Sequence, residues 1–134
     1  MRRPARLAAV FLALLLLFPA GRADAGEPQV AKARILLIGK DSYEFEVTVA
    51  HFDTGWDHFL DRWEIVGPGG KVIGTRMLFH PHIGEDYVTR TLRGVTIPEG
   101  TGEVLIRVHD KRHGYGREKL ISLPTPEKPD TGWQ

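Results

Sequence analysis

A chain of 134 residues with 42% hydrophobic and 26% charged positions is long enough for one small domain with its own core. It contains no cysteine, which excludes disulfide staples, thiolate metal sites, blue-copper centres and cysteine nucleophiles together. The formal charge of +1 belongs mostly to the first 25 residues. Setting aside Arg2, Arg3, Arg6 and Arg22 takes 18 basic residues to 14, and Asp24 takes 17 acidic ones to 16, a net −2 with no basic stripe for nucleic acid.

The start of the chain reads as an address. Arg2, Arg3 and Arg6 precede an apolar run over residues 7–20, and Ala23-Asp24-Ala25 supplies small residues at the cleavage spacing. That pattern predicts a secretory signal peptide over residues 1–25, removed after Ala25, and hence a periplasmic or secreted protein. The run is shorter than the ~20 residues that span a bilayer, so no membrane span is expected after cleavage.

Residues 32–38 are apolar and β-prone and form the first predicted strand, which Gly39-Lys40-Asp41 turns into a second over residues 42–51. There Tyr43, Phe45, Val47 and Val49 alternate with Glu44, Glu46 and Thr48, the period of a half-buried strand. His51 continues the apolar row. The following stretch, His51-Phe52-Asp53-Thr54-Gly55-Trp56-Asp57-His58, is too polar for a strand and is expected as an exposed loop.

A third strand is expected over residues 59–66 and a fourth over 71–80, joined by the strong turn signal Gly67-Pro68-Gly69-Gly70. A fifth follows over 87–92, and residues 95–100 read as a short bridge closed by Pro98 and Gly100. The sixth, over 103–110, sets Val104, Ile106 and Val108 against Glu103, Leu105, Arg107 and His109. Residues 111–117 read as a loop, and a last strand spans 119–123. No helical period of useful length occurs. About seven short strands predict an all-β fold, an antiparallel immunoglobulin-like β-sandwich over residues 26–123. Residues 124–134 are too rich in proline and polar residues to pack and are expected as a flexible tail.

Letting these strands alternate in direction places all six histidines, with Asp53, Asp57 and Asp110, at one end of the sandwich. His80-Pro81-His82 puts two imidazoles on one side of an extended chain, roughly 6.6 Å apart at the backbone and able to lean onto one ion. His109-Asp110-Lys111-Arg112-His113 adds a second pair from a strand end and its loop. The preferred candidate ligands are therefore His80, His82, His109 and His113, then His51 and His58, with Asp53 or Asp57 as ligand or supporting carboxylate. Histidine and carboxylate suit Zn, Cu(II) or Ni, and a single thioether, Met77, is too little for a Cu(I) site.

Bland roles compete with this reading. A strand-end histidine is commonly just hydrogen-bonded, Asp53 and Asp57 suit turn capping, and Trp56 and Trp63 suit packing. Asp53-Thr54-Gly55 and Asp130-Thr131-Gly132 match the aspartic-protease triplet, but a dyad needs both in facing apolar loops, and the second lies in the tail. Ser42 and Ser122, the serines available outside the leader, lie far from the histidine-bearing end.

The combination of Asp-Thr-Gly-Trp-Asp-His, His80-Pro81-His82 and His109-Asp110 with His113-Gly114-Tyr115-Gly116 resembles that of uncharacterised small exported bacterial proteins, over about residues 51–116. The resemblance implies a periplasmic single domain and brings no activity with it. Three functions stay open: a metal-binding protein with a histidine-rich site, a metal-free recognition module using Trp56 and Tyr115, and, least favoured, a metal-dependent enzyme.

Overall fold

A computed structural model describes residues 27–124; the predicted leader and most of the predicted tail lie outside the described residues. Two antiparallel sheets pack face to face as a β-sandwich. The first sheet has the order β1-β2-β5, from β1 (Gln29–Gly39), β2 (Ser42–Ala50) and β5 (Tyr87–Thr96). The second has the order β4-β3-β6-β7, from β4 (Val72–Met77), β3 (Leu60–Val66), β6 (Glu103–Asp110) and β7 (Gly114–Tyr115), with β8 (Lys119–Ser122) also paired to β6.

The period-two pattern decides which side chains face the partner sheet. Tyr43, Phe45, Val47 and Val49 of β2 meet Trp63 and Ile65 of β3 and Val104, Ile106 and Val108 of β6 in one buried cluster. Burial of each large apolar side chain contributes roughly 1.5–3 kcal/mol, and with no disulfide available this cluster carries the fold. Two short connections at the base are set by local backbone. Asp41 takes φ 54° in the two-residue β1–β2 turn, which aspartate tolerates better than a branched residue. Gly69 and Gly70 take φ 72° and 75° in the β3–β4 turn, whose first part is a short 3-10 turn.

Several bounds differ from the sequence reading, and pairing explains them. β5 runs through to Thr96 because Val95 pairs with Tyr43, and Ile97 beyond it is buried, so residues 95–100 are not a separate bridge. β4 ends at Met77 rather than at residue 80, and β2 at Ala50. The predicted loop over 111–117 contains β7, which pairs His109 with Tyr115. Gly116 lies so close to the segment before β1 that a Cβ there would sit 2.2 Å from the Pro28 carbonyl oxygen. Among the described residues no helix is long and apolar enough to cross a membrane.

Strand register defines one end of the sandwich. Ala50 at the end of β2 pairs with Tyr87 at the start of β5, Leu60 at the start of β3 pairs with Asp110 at the end of β6, and Met77 at the end of β4 pairs with Arg62. The β2–β3, β4–β5 and β6–β7 connections all lie here. The first two cross from one sheet to the other, so part of each loop covers the open end of the core.

Candidate metal centre

The β2–β3 crossing is a tight excursion, not a free loop. His58 N–H donates to the Gly55 carbonyl at 3.1 Å and Thr54 N–H donates to the His58 carbonyl at 3.0 Å, folding the segment back on itself. Trp56 and Asp57 are thereby left at an exposed tip, while His51, Asp53 and His58 turn inward and are buried. Asp53 pins the fold-back: its Oδ1 accepts Leu60 N–H at 2.9 Å and its Oδ2 accepts His82 N–H at 2.7 Å.

Around this frame the imidazoles converge on Asp110. His51 Nε2 lies 3.0 Å and His58 Nε2 3.5 Å from Asp110 Oδ2. His113 Nδ1 approaches the same oxygen from the solvent side at 2.9 Å. Ligand atoms about 2 Å from a tetrahedral ion stand ~3.3 Å apart, close to these three separations. One ligand atom from each of His51, His58 and Asp110 falls within 4.8 Å of the other two. The outer ring nitrogens are also engaged: His51 Nδ1 donates to Asp53 Oδ1 at 2.5 Å, and His58 Nδ1 is 3.0 Å from Thr54 Oγ1. A carboxylate or hydroxyl behind the distal nitrogen, with Nε2 turned to a shared point, is how metal-ligating histidines are oriented.

Electrostatics favour an ionised Asp110. Its side chain is fully buried, which pushes its carboxyl upward. The opposing hydrogen bonds win: His113 N–H and ring, His51 and Arg112 N–H hold it below the ordinary carboxylate range. The site is closed on three sides. His51 and Asp110 side chains are 0% exposed and His58 is 7%, whereas His113 is 36% exposed and faces the way out.

The remaining candidates from the sequence lie elsewhere. His80 is exposed and its ring tilts against that of His82, centroids 4.6 Å apart. His82 touches the centre through Asp53, with its Nε2 accepting from Arg90 Nη2 at 2.8 Å. A guanidinium can only donate, so the proton of this neutral imidazole sits on Nδ1. Burial, then Arg90 and His80, push the His82 pKa down, in keeping with a neutral ring. Asp57 stays at the exposed tip.

His109 is on the other side of the sheet. Alternation along β6 sends Val104, Ile106, Val108 and Asp110 inward, so the adjacent His109 points outward with Arg107. A bulge at Asp61 in β3 lets both Asp61 and Arg62 face it. There His109 Nδ1 donates to Asp61 Oδ1 at 2.5 Å, Arg62 bonds Asp61 and Glu64 at 3.0 Å each, and Arg107 Nη2 bonds Glu64 at 2.9 Å. Tyr115 O–H donates to Glu64 at 2.7 Å. Burial pushes the Glu64 carboxyl up, but Tyr115, Arg107 and Arg62 outweigh it and hold it below its ordinary range.

Asp110 is not among the ligands that histidine pairing predicts, although its inward parity with Val104, Ile106 and Val108 is visible in the sequence. Thr54 carried no signal of its own; only the fold-back sets it behind His58.

No protein-family model matches the chain, and no solved structure matches it. Over 98 residues it is 35% identical to the protein named "Putative lipoprotein" of Halomicrobium mukohataei, a match covering 73% of this chain and 48% of that protein. The chain thus spans about half the length of this relative.

Proposed function

We propose that this is an exported metal-binding β-sandwich domain that holds a divalent ion, Zn(II), Cu(II) or Ni(II), between His51 Nε2, His58 Nε2 and an Asp110 oxygen. His113 Nδ1 closes a fourth position from the solvent side. The observation that carries this reading is the paired orientation of two buried imidazoles, each with its Nδ1 engaged by Asp53 or Thr54 and its Nε2 turned to one carboxylate oxygen. The nitrogen-rich donor set with one carboxylate and no sulfur suits these borderline ions. His80 and His109 are outside the set, and Asp53 is its supporting carboxylate.

Export is supported by the leader pattern of residues 1–25 and by the name of the relative, a lipoprotein. We read this domain as periplasmic or secreted, with residues 26–123 as its folded part and 124–134 as a tail. The strand order, β1-β2-β5 facing β4-β3-β6 with three connections crossing between sheets, supports the immunoglobulin-like reading.

Titration of tag-free, chelator-stripped mature chain with each ion by calorimetry tests the site. Binding tighter than about 10 μM, which is ~7 kcal/mol, is expected for at least one ion. His58→Gln and His113→Gln should weaken it by tenfold or more, with His80→Gln and His109→Gln within twofold of the parent. Failure of all three ions to reach that affinity, or equal losses in His109→Gln and His58→Gln, would overturn the reading.

A second reading is favoured by one observation. Phe52, Trp56, Phe79, Ile83 and Tyr87, all on the connections or strand ends at this same end, are 62–75% exposed. Large exposed apolar groups gathered in one region mark recognition surfaces. On that reading the domain binds a protein or small ligand and the buried His–Asp cluster only ties the loops together; loss of metal binding in the titration would favour it.

A further inference from the structure

We infer that a second, separate site binds a small oxyanion, carboxylate- or phosphate-bearing, in the cleft between Arg76 and Arg90 at the seam of the two sheets. The cleft measures about 120 Å³ and is walled by Arg76, Phe79, His80, His82 and Arg90 together with Met77 and Leu78. It lies where the edge strands β4 and β5 come side by side. No carboxylate lines it, and the acidic groups that act on His82, Glu85 and Asp53, are not part of its wall.

Both guanidiniums are held in place without being neutralised. Arg76 Nε donates to the Thr91 carbonyl at 3.0 Å, across the seam, and its Nη1 donates to the Met77 carbonyl at 2.6 Å. Arg90 Nη1 donates to the Thr89 carbonyl at 2.7 Å and its Nη2 to His82 Nε2 at 2.8 Å. Each arginine has five N–H donors, so each keeps three for a ligand. Among the described residues neither has a carboxylate within ion-pair distance, in contrast to Arg62 and Arg107, whose charges face Asp61 and Glu64. Carbonyls and a neutral imidazole fix the orientation of a cation and leave its charge uncompensated.

His82 makes the arrangement specific. Its side chain is only 8% exposed, its ring fixes the Arg90 fork, and its buried Nδ1 has no hydrogen-bond partner. Two pre-oriented forks over a small cleft match the planar oxygens of a carboxylate or two oxygens of a phosphate. Phe79, exposed at the mouth, supplies an apolar wall for the rest of an organic anion. The cleft does not depend on the metal reading, although His82 also gives its main-chain N–H to Asp53 and so borders that centre.

The test is titration of the full mature chain with inorganic phosphate and, separately, with acetate, at low ionic strength, followed by backbone amide shifts and run with and without one equivalent of Zn(II). At least one probe should bind with Kd below about 1 mM, with the largest shifts at Phe79, His80, Arg90 and Thr91. Which probe binds tighter separates the phosphate source from the carboxylate source. Arg76→Gln and Arg90→Gln, both at partly exposed positions, should each weaken binding at least tenfold, and Arg107→Gln on the outer face should change it less than twofold. Absence of binding below about 10 mM for both probes, shifts centred elsewhere, or binding unaffected by either cleft substitution would overturn the inference. None of these outcomes depends on whether the metal centre binds.

Discussion

Asp53→Asn is the most informative single perturbation. The parent carboxylate is 1% exposed and accepts three hydrogen bonds, from His51 Nδ1, Leu60 N and His82 N, joining the end of β2, the start of β3 and the β4–β5 loop. Asparagine has the same shape but one acceptor oxygen. If that oxygen serves His51 and Leu60, the new NH₂ group faces the His82 N–H; if it serves His82, the NH₂ faces two donors. At least one buried donor is left unmade, at about 1–3 kcal/mol, and the remaining bonds lose their charge assistance, so a total near 3 kcal/mol is expected. For a domain of about 100 residues, 1 kcal/mol moves the midpoint by roughly 4–8 °C, so thermal melts followed by circular dichroism should fall by roughly 12–24 °C. Metal affinity should fall as well, by about 10–100-fold, because His51 loses the acceptor that orients its ring. Asp57→Asn, at the exposed tip of the same loop, should stay within about 0.5 kcal/mol. A variant at position 53 that melts like the parent and binds Zn(II) within threefold of it would refute both the hub role and the orientation argument.

Other outcomes follow from the same geometry. Gly116→Ala drives a methyl group into the Pro28 carbonyl, a backbone group that must shift to admit it, and should cost about 2–3 kcal/mol in urea unfolding, against near neutrality for alanine at Gly102, where a Cβ meets nothing within 4 Å. Glu64 has a folded-state pKa below its ordinary 4.5, so the unfolded chain binds more protons; the stability Glu64 contributes is full above pH 4.5 and is lost as pH falls through the lower folded value. Melts across pH 2–6 should therefore show a steeper acid limb for the parent than for Glu64→Gln. Zn(II) at a hundred times its Kd should add about 2.7 kcal/mol to stability, read as a raised melting midpoint that a chelator reverses; an unchanged midpoint would count against the proposed centre.

Two members of the candidate site, His51 and Asp110, were legible one residue at a time. His51 follows Tyr43, Phe45, Val47 and Val49 on the inward row of β2, and Asp110 follows Val104, Ile106 and Val108 on the inward row of β6, so parity alone marks both as core-facing. The same rule separates His109 from Asp110, since neighbours on a strand point to opposite faces. The spacing of histidine pairs does not carry this distinction. The His80-Pro81-His82 spacing is real, but its rings meet Arg90 and each other rather than the buried carboxylate.

The amino-acid order determined by itself the strands other than β7 to within a few residues, their inward and outward faces, the turn at Gly67–Gly70 and the gathering of histidines at one end, because alternation and turn chemistry act over a few residues. Only the tertiary structure decided which imidazoles share a point. That outcome depends on the β2–β3 segment crossing between sheets, on the fold-back that buries Asp53 and His58, on the bulge at Asp61, and on Leu60 pairing with Asp110 across 50 residues of chain. The fold-back closes over a few residues, but its burial and the other contacts join distant segments through the packing of two whole sheets, which no local pattern encodes.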